Sequence, residues 1–212
     1  MKFLVNPMKK ILPIACIAGA ALSSCGNGSD TSSAVSSTVQ DCAYSNIMTR
    51  TSVRQYSDKS ISRATLDSIV AAGMAAPTAM NKQPWQFIVV DDSVKLKEIA
   101  ALAAPWNAVG RAKAAIIVCG DMSKAIPGDG QAYWIQDCSA ASENILLAAH
   151  ALGIGAVWCG VYPIAERVES MKDYFMLGAN ITPLNVIALG YPEKNQEPKD
   201  KYNPDNVHYN EW

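Results

Sequence analysis

The chain has 212 residues, 18 Lys and Arg against 19 Asp and Glu, and a hydrophobic content of 50%. Such a balance offers nothing to attract a nucleic-acid backbone, and the length suits one domain with a real core, so no second domain is expected. Two histidines that lack neighbouring ligands and six cysteines without a Cys-x-x-Cys pair indicate neither a zinc site nor a disulfide scaffold.

At the N-terminus, Lys2, Lys9 and Lys10 precede an uncharged apolar run of 12 residues from Ile11 to Leu22. The run is too short for a membrane span, which needs about 20 residues, and reads as the core of a cleavable signal over residues 1–24. Leu22, Ser23, Ser24 and Cys25 resemble the bacterial lipobox, in which the cysteine thiol is lipidated and becomes the first residue. The alternative is an ordinary secretory leader with a chance cysteine. Residues 25–45 then form a lipidated, flexible tether: between Gly26 and Gln40 only Ala34, Val35 and Val39 are apolar, too little to drive folding. The expected location is the bacterial cell envelope, facing the periplasm and anchored by lipid. Loss of the leader takes Lys and Arg from 18 to 15 against 19 acidic residues, leaving about −4. Four thiols then remain: Cys42, Cys119, Cys138 and Cys159. Two of them could pair in an oxidising compartment.

The folded domain is expected over residues 46–212. Ser62 caps a helix with Leu66, Ile69, Val70 and Gly73 on one face, ending before Pro77. Phe87 to Val90 reads as a buried strand, followed by a helix from Val94 to Leu102. Ala115 to Cys119 is a second strand. The longest helix spans about Ile135 to Leu152, apolar nearly all round, with alanines that admit another backbone, and Gly153 stops it. Ala156 to Cys159 leads into a turn, and Asn185 to Gly190 is the last core strand. Strands separated by helices suggest a mixed sheet flanked by helices. The polar tail ends in Val207, His208, Tyr209 and Trp212, aromatics that need cover, for which a second subunit is a candidate.

There is no Gly-x-Ser-x-Gly elbow, and Gly153 and Gly155 lack the third glycine of a dinucleotide fingerprint and follow a helix. Phosphate can instead be held by side chains. Two basic clusters qualify, Arg50 to Arg54 and Lys199 to Lys201, since an arginine fork beside a hydroxyl suits phosphate oxygens. A third element, Ala76 to Trp85, is a loop dense in amides and hydroxyls.

In this order the three elements resemble the nitroreductase family of FMN flavoproteins. Met48 to Tyr56 is similar to the family's Arg-x-Ser-x-Arg-x-Tyr/Phe signature, and Ala76 to Phe87 to its Ala-Pro-Ser-x-x-Asn-x-Gln-Pro-Trp-x-Phe segment. Asn144 to Gly155 looks like its central helix and turn, and Pro198 to Lys201 like its closing Pro-Lys-x-Arg, with Lys201 in place of the arginine. The resemblance implies that Arg50, Ser52, Lys199 and Lys201 surround the FMN phosphate and that Arg54 faces the N1 and C2 carbonyl edge of the ring. Pro77, Thr78, Ala79 and Asn81 would reach the flavin of the other subunit. Trp158, Cys159, Gly160 and Val161 would lie along the ring, with a backbone N–H near Gly160 directed at N5. Thr51 and Gln83 fall within the same motifs and join the cofactor-binding set, and Asn107 is a possible ring contact.

The resemblance thus implies an α+β homodimer with a mixed sheet, two FMN sites at the interface and no side chain needed as acid or base. NADH or NADPH would be the donor, and nitroaromatics or quinones the acceptors. Nicotinamides are cytoplasmic pools, which conflicts with export. Reductive dehalogenation, oxidation of a bound substrate, or ligand binding without turnover are the alternatives on this scaffold.

Overall fold

The computed structural model describes residues 42–212. The leader, Cys25 and the tether as far as residue 41 lie outside the described residues. Helix α1 occupies residues 42–49, so the stretch read as tether is already helical from residue 42. The helix is docked rather than free: the Asn46 side chain donates to the Leu147 carbonyl at 3.0 Å.

Helix α2 (Arg63–Met74) starts where the sequence places it, with the Ser62 hydroxyl accepting the Thr65 N–H and Leu66, Ile69 and Gly73 buried. Strand β1 (Trp85–Val90) starts two residues before the expected Phe87. In α3 (Ser93–Ala101) the Asp92 carboxylate caps two N–H groups, those of Val94 and Lys95. A short α4 (Asn107–Arg111) packs on α3 and leads into β2 (Ala114–Asp121). Helix α5 (Tyr133–Ala151) ends at Gly153, whose φ of 70° lets the chain turn back. The stretch expected to lead into a turn is strand β3 (Gly155–Gly160), which forms because the chain pairs with β4 (Ile181–Gly190) along its whole length, and the turn follows at residues 162–163. Between them lies α6 (Ala165–Phe175), absent from the sequence reading: its composition is polar overall, and its apolar face is short, with Val168, Met171, Tyr174 and Phe175 packed on the core and Met171 alone fully buried.

The sheet order is β1-β2-β4-β3, and all three pairings are antiparallel. Among the described residues, parallel pairing is confined to an isolated bridge between Ser52 and Ala156, on the outer edge of β3. The α+β class therefore holds with a sheet less mixed than the alternation of elements suggested. One physical reason is visible between β1 and β2, where two helices packed on each other return the chain to the end it left. β2 and β4 are central and almost wholly buried, with apolar residues on both faces. Ile116 and Val118 face a core with α2 and α5, while Ile117 and Cys119 face one with α3, α4 and α6. Helix α5 is buried on one side only: Ala140, Leu147 and Ala148 on its other side are half-buried.

Candidate functional site

The segment after α1 runs along the open edge of β3. The Val53 N–H donates to the Ala156 carbonyl at 2.9 Å, and the Tyr56 hydroxyl donates to the Val53 carbonyl at 2.7 Å. Burial pushes the Tyr56 phenol well above its usual range, so it remains a neutral donor. Val53 points into the core, which leaves Arg50, Ser52 and Arg54 at the surface side of the strand edge.

These residues line a cleft of about 550 Å³ together with Thr51, Lys199, Lys201 and Tyr202. Two basic clusters separated by most of the chain thus meet on one cavity, with Glu197 and Asp200 on its rim. Helix α5 lines none of this cleft but anchors Arg50 through Glu143. The Arg50 Nε lies 3.4 Å from the Glu143 carboxylate, which orients the guanidinium and leaves its outer N–H groups for a ligand. Thr49 and the His150 ring are 3.0 Å apart, and burial together with the Arg50 charge holds His150 below the usual imidazole range.

Arg54 also lines a second cleft, of about 370 Å³, with Asn107, Arg111, Trp158, Cys159, Gly160 and Arg167. The backbone of β3 explains what this cleft offers. Because Ala156 bonds outward to Val53, the period of two turns the N–H and C=O groups of Trp158 and Gly160 outward as well. The Gly160 carbonyl accepts from the Trp106 indole at 3.2 Å and from Arg167 at 3.1 Å. Gly160 needs neither a left-handed dihedral nor relief from a neighbour, since a Cβ there would meet nothing within 4 Å. A side chain would simply stand in the open cleft, where a planar ligand could lie. Burial raises the Cys159 thiol, with Arg54 opposing, so the thiol stays protonated. Val161 is fully buried and lines neither cleft.

The remaining sequence candidates lie elsewhere. Pro77, Thr78, Ala79, Asn81 and Gln83 line neither cleft of this chain. Their loop is nonetheless built with care: Met80, Asn81 and Gln83 all have positive φ, and the Asp137 carboxylate accepts the Ala79 N–H at 2.7 Å. The Thr78 hydroxyl accepts the Gln83 N–H at 3.0 Å, and Met80 is left exposed. Among the described residues no cluster of His, Cys, Asp and Glu could hold a metal ion.

The profile described as "Nitroreductase family" matches residues 47–191. The chain belongs to the nitroreductase family. Its relatives include proteins named "Putative NADH dehydrogenase/NAD(P)H nitroreductase" from two archaea. That of Archaeoglobus fulgidus is 46% identical over 171 residues, 78% of this chain and 96% of the relative. That of Methanothermobacter thermautotrophicus is 44% identical over 167 residues, 78% of this chain and 85% of the relative. A crystal structure bearing the same name, from Bacteroides thetaiotaomicron, superposes with a TM-score of 0.75 at 43% identity, covering 80% of this chain and 98% of the other. A protein named "a putative nitroreductase in complex with fmn", from Desulfovibrio desulfuricans, superposes with a TM-score of 0.70 at 28% identity, covering 80% of this chain and 97% of the other. The nitroreductase profile ends at Tyr191, so Lys199 and Lys201 join the site through the fold and not through the matched span. Arg111, Arg167 and Trp106 escaped the sequence reading because each stands outside the quoted motifs and only the fold brings them to one cleft.

Proposed function

We propose that this nitroreductase binds FMN with its phosphate in the larger cleft and its ring along the edge of β3, and passes electrons from a nicotinamide donor to a small acceptor such as a nitroaromatic or a quinone. The convergence of Arg50, Ser52, Lys199 and Lys201 on one cavity, which continues past Arg54 to the open backbone edge at Gly160, carries this reading. The donor set fits the cofactor: guanidinium, hydroxyl and ammonium groups at one end, a cation at the junction, outward backbone groups at the other. FMN, when bound, supplies the electron chemistry, accepting and returning electrons at its ring. The protein binds, orients and shields. Arg54 keeps positive charge where the two clefts join, and no side chain here is required to move a proton.

A homodimer completes the site in this reading. Tyr44, Ile47 and Met48 of α1 are exposed, as are Tyr202, Tyr209 and Trp212 of the tail, and the outer side of α5 is only half-buried. Exposed apolar side chains of this kind are what a partner's surface would cover. The loop from Pro77 to Gln83, which serves no cleft of its own chain, would then reach the partner's flavin. Cys25 would carry lipid and place the domain at the cell envelope, where the reductant must be one available there. No helix among the described residues is long and apolar enough to cross a membrane.

The test is an absorbance spectrum of the purified protein, followed by anaerobic addition of NADH or NADPH. Oxidised-flavin bands that bleach are the expected result. A colourless protein that takes up no added FMN would overturn the proposal.

A further inference from the structure

Helix α5 buries a carboxylate that neither cleft uses. Asp137 is only 5% exposed, lines no cleft described above and, among the described residues, joins no ion pair. An acidic side chain taken out of water without a cation is costly unless hydrogen bonds replace the lost solvent. Its helix neighbours Trp134 and Cys138 belong to the apolar core, where an apolar side chain would carry no such cost. What the carboxylate holds is a loop: Oδ1 accepts the Ala79 N–H at 2.7 Å.

That bond is the loop's tie to the body of the domain. Among the described residues, the other hydrogen bonds of residues 78–83 stay inside the loop: Asn81 N–H to the Thr78 carbonyl, Gln83 N–H to the Thr78 hydroxyl, and the Gln83 side chain to that of Asn81, each at 3.0 Å. Packing does not anchor it either, since no residue between Ala76 and Pro84 is buried and Met80 is 78% exposed. Yet Met80, Asn81 and Gln83 have φ of 52°, 53° and 49°, a left-handed conformation that residues with a Cβ keep only where their surroundings impose it. A loop that exposes its tip while holding three strained residues is shaped to present that tip to something outside its own chain.

The geometry points to Asp137 as a positioning residue: through the Ala79 N–H it holds the Thr78 to Gln83 loop in the conformation that meets the flavin ring of the partner subunit. This rests on the reading above, in which a homodimer completes the site. Asp137 itself touches no flavin. Its effect is carried by one hydrogen bond, so an acceptor at that place matters more than a charge.

The experiment uses the full-length protein. Asp137→Ala removes the acceptor, and Asp137→Asn keeps a carbonyl oxygen in about the same place. Ala79→Pro removes the donor from the other side and carries the test if Asp137→Ala does not fold. Proline suits that position, because Thr78 before it is already extended (φ −135°, ψ 151°) and Ala79 opens its short helix. FMN and riboflavin affinities should both fall about tenfold in Asp137→Ala, as loss of a charge-assisted bond allows, because the loop meets the ring and not the phosphate. The visible circular dichroism of the bound flavin should change as well, and Asp137→Asn should restore affinity to within about threefold of the parent. A lower Tm with parental flavin affinity and dichroism would overturn the assignment, leaving Asp137 a purely structural residue. So would a loss confined to FMN, which places the effect at the phosphate, or an Asn variant as impaired as Ala, which makes charge and not the bond decisive. Flavin lost through dissociation to monomers in sedimentation would also overturn it, since the loop would then be holding the interface. A parent protein that takes up no FMN fails the earlier reading instead. Hydrogen exchange at the Ala79 amide, which needs no flavin, then decides whether Asp137 holds the loop: faster exchange in Asp137→Ala supports it, and an unchanged rate refutes it.

Discussion

Gly155 and Gly190 stand opposite each other across β3 and β4, and each vacates the space that one residue of the Arg50 to Tyr56 segment fills. A Cβ at position 155 would come within 2.7 Å of the Val53 side chain, and one at 190 within 2.6 Å of the Tyr56 ring. Neither glycine has a positive φ, so packing and not backbone conformation demands them. The paired glycines therefore set how closely the segment carrying Arg50, Ser52 and Arg54 approaches the sheet.

Gly190→Ala should push the Tyr56 ring away and carry the segment with it. Overpacking of this kind costs about 1–3 kcal/mol, and the displaced arginines should also weaken FMN binding. Thermal unfolding and an FMN titration measure the two effects separately. Tyr56→Phe makes the milder comparison, losing a single hydrogen bond worth about 0.5–1.5 kcal/mol. A Gly190→Ala protein with parental stability and affinity would show that the segment is not positioned through this contact.

Arg50→Ala addresses the phosphate end. A charge-assisted bond contributes about 1.5–3 kcal/mol, so FMN affinity should fall roughly ten- to a hundredfold in a protein that still folds. Riboflavin, which lacks the phosphate, should bind weakly and barely respond. Equal losses for both ligands, or no loss for either, would remove Arg50 from the phosphate site.

Much of this arrangement was legible in the sequence because it is local. Ser62, Asp92 and Gly153 mark helix ends by chemistry that acts within one turn, and the structure uses all three. The convergence of Arg50 with Lys199 was legible only through resemblance, since nothing in spacing ties residues so far apart. β3 was hidden because Ala156 to Cys159 is too short to show alternation, and it exists through pairing with β4. α6 was hidden by its polar composition, and with it Arg167. The arginines of the smaller cleft come from three separate elements, so only the fold brings them together.

His150 gives the stability of the flavin-free protein a pH dependence. Burial and the Arg50 charge hold its folded pKa below the ordinary value of about 6.5, so the unfolded chain takes up the proton more readily. The stability this contributes is complete above the unfolded value and is lost as the pH falls through the folded one. Unfolding midpoints recorded from about pH 7.5 down to about pH 5 should therefore fall, ahead of the range where carboxylates titrate. His150→Gln, which can keep a bond to Thr49, should flatten that decline. An unchanged slope in this variant would place the titrating group elsewhere.

The tail offers a test of whether the proposed site depends on a second subunit. From Gln196 to Tyr202 it lines the larger cleft, yet every residue from Glu193 to Trp212 is exposed. The His208 and Trp212 rings lie 4.4 Å apart between centroids and cover nothing else of their own chain's core. Apolar aromatic surface left in water is unfavourable by about 25 cal/mol per Å², which a partner's surface would recover. Deleting Asn206 to Trp212 leaves Lys199 and Lys201 in place, so any change in flavin binding must act through the tail's anchorage. The expected result is weaker self-association in sedimentation, together with faster FMN loss on dilution, where the subunits separate. A truncated protein with unchanged association and full FMN occupancy would mean that the tail serves neither the dimer nor the site. Weaker association with unchanged FMN occupancy would mean that the lysines are held in the cleft by their own chain alone.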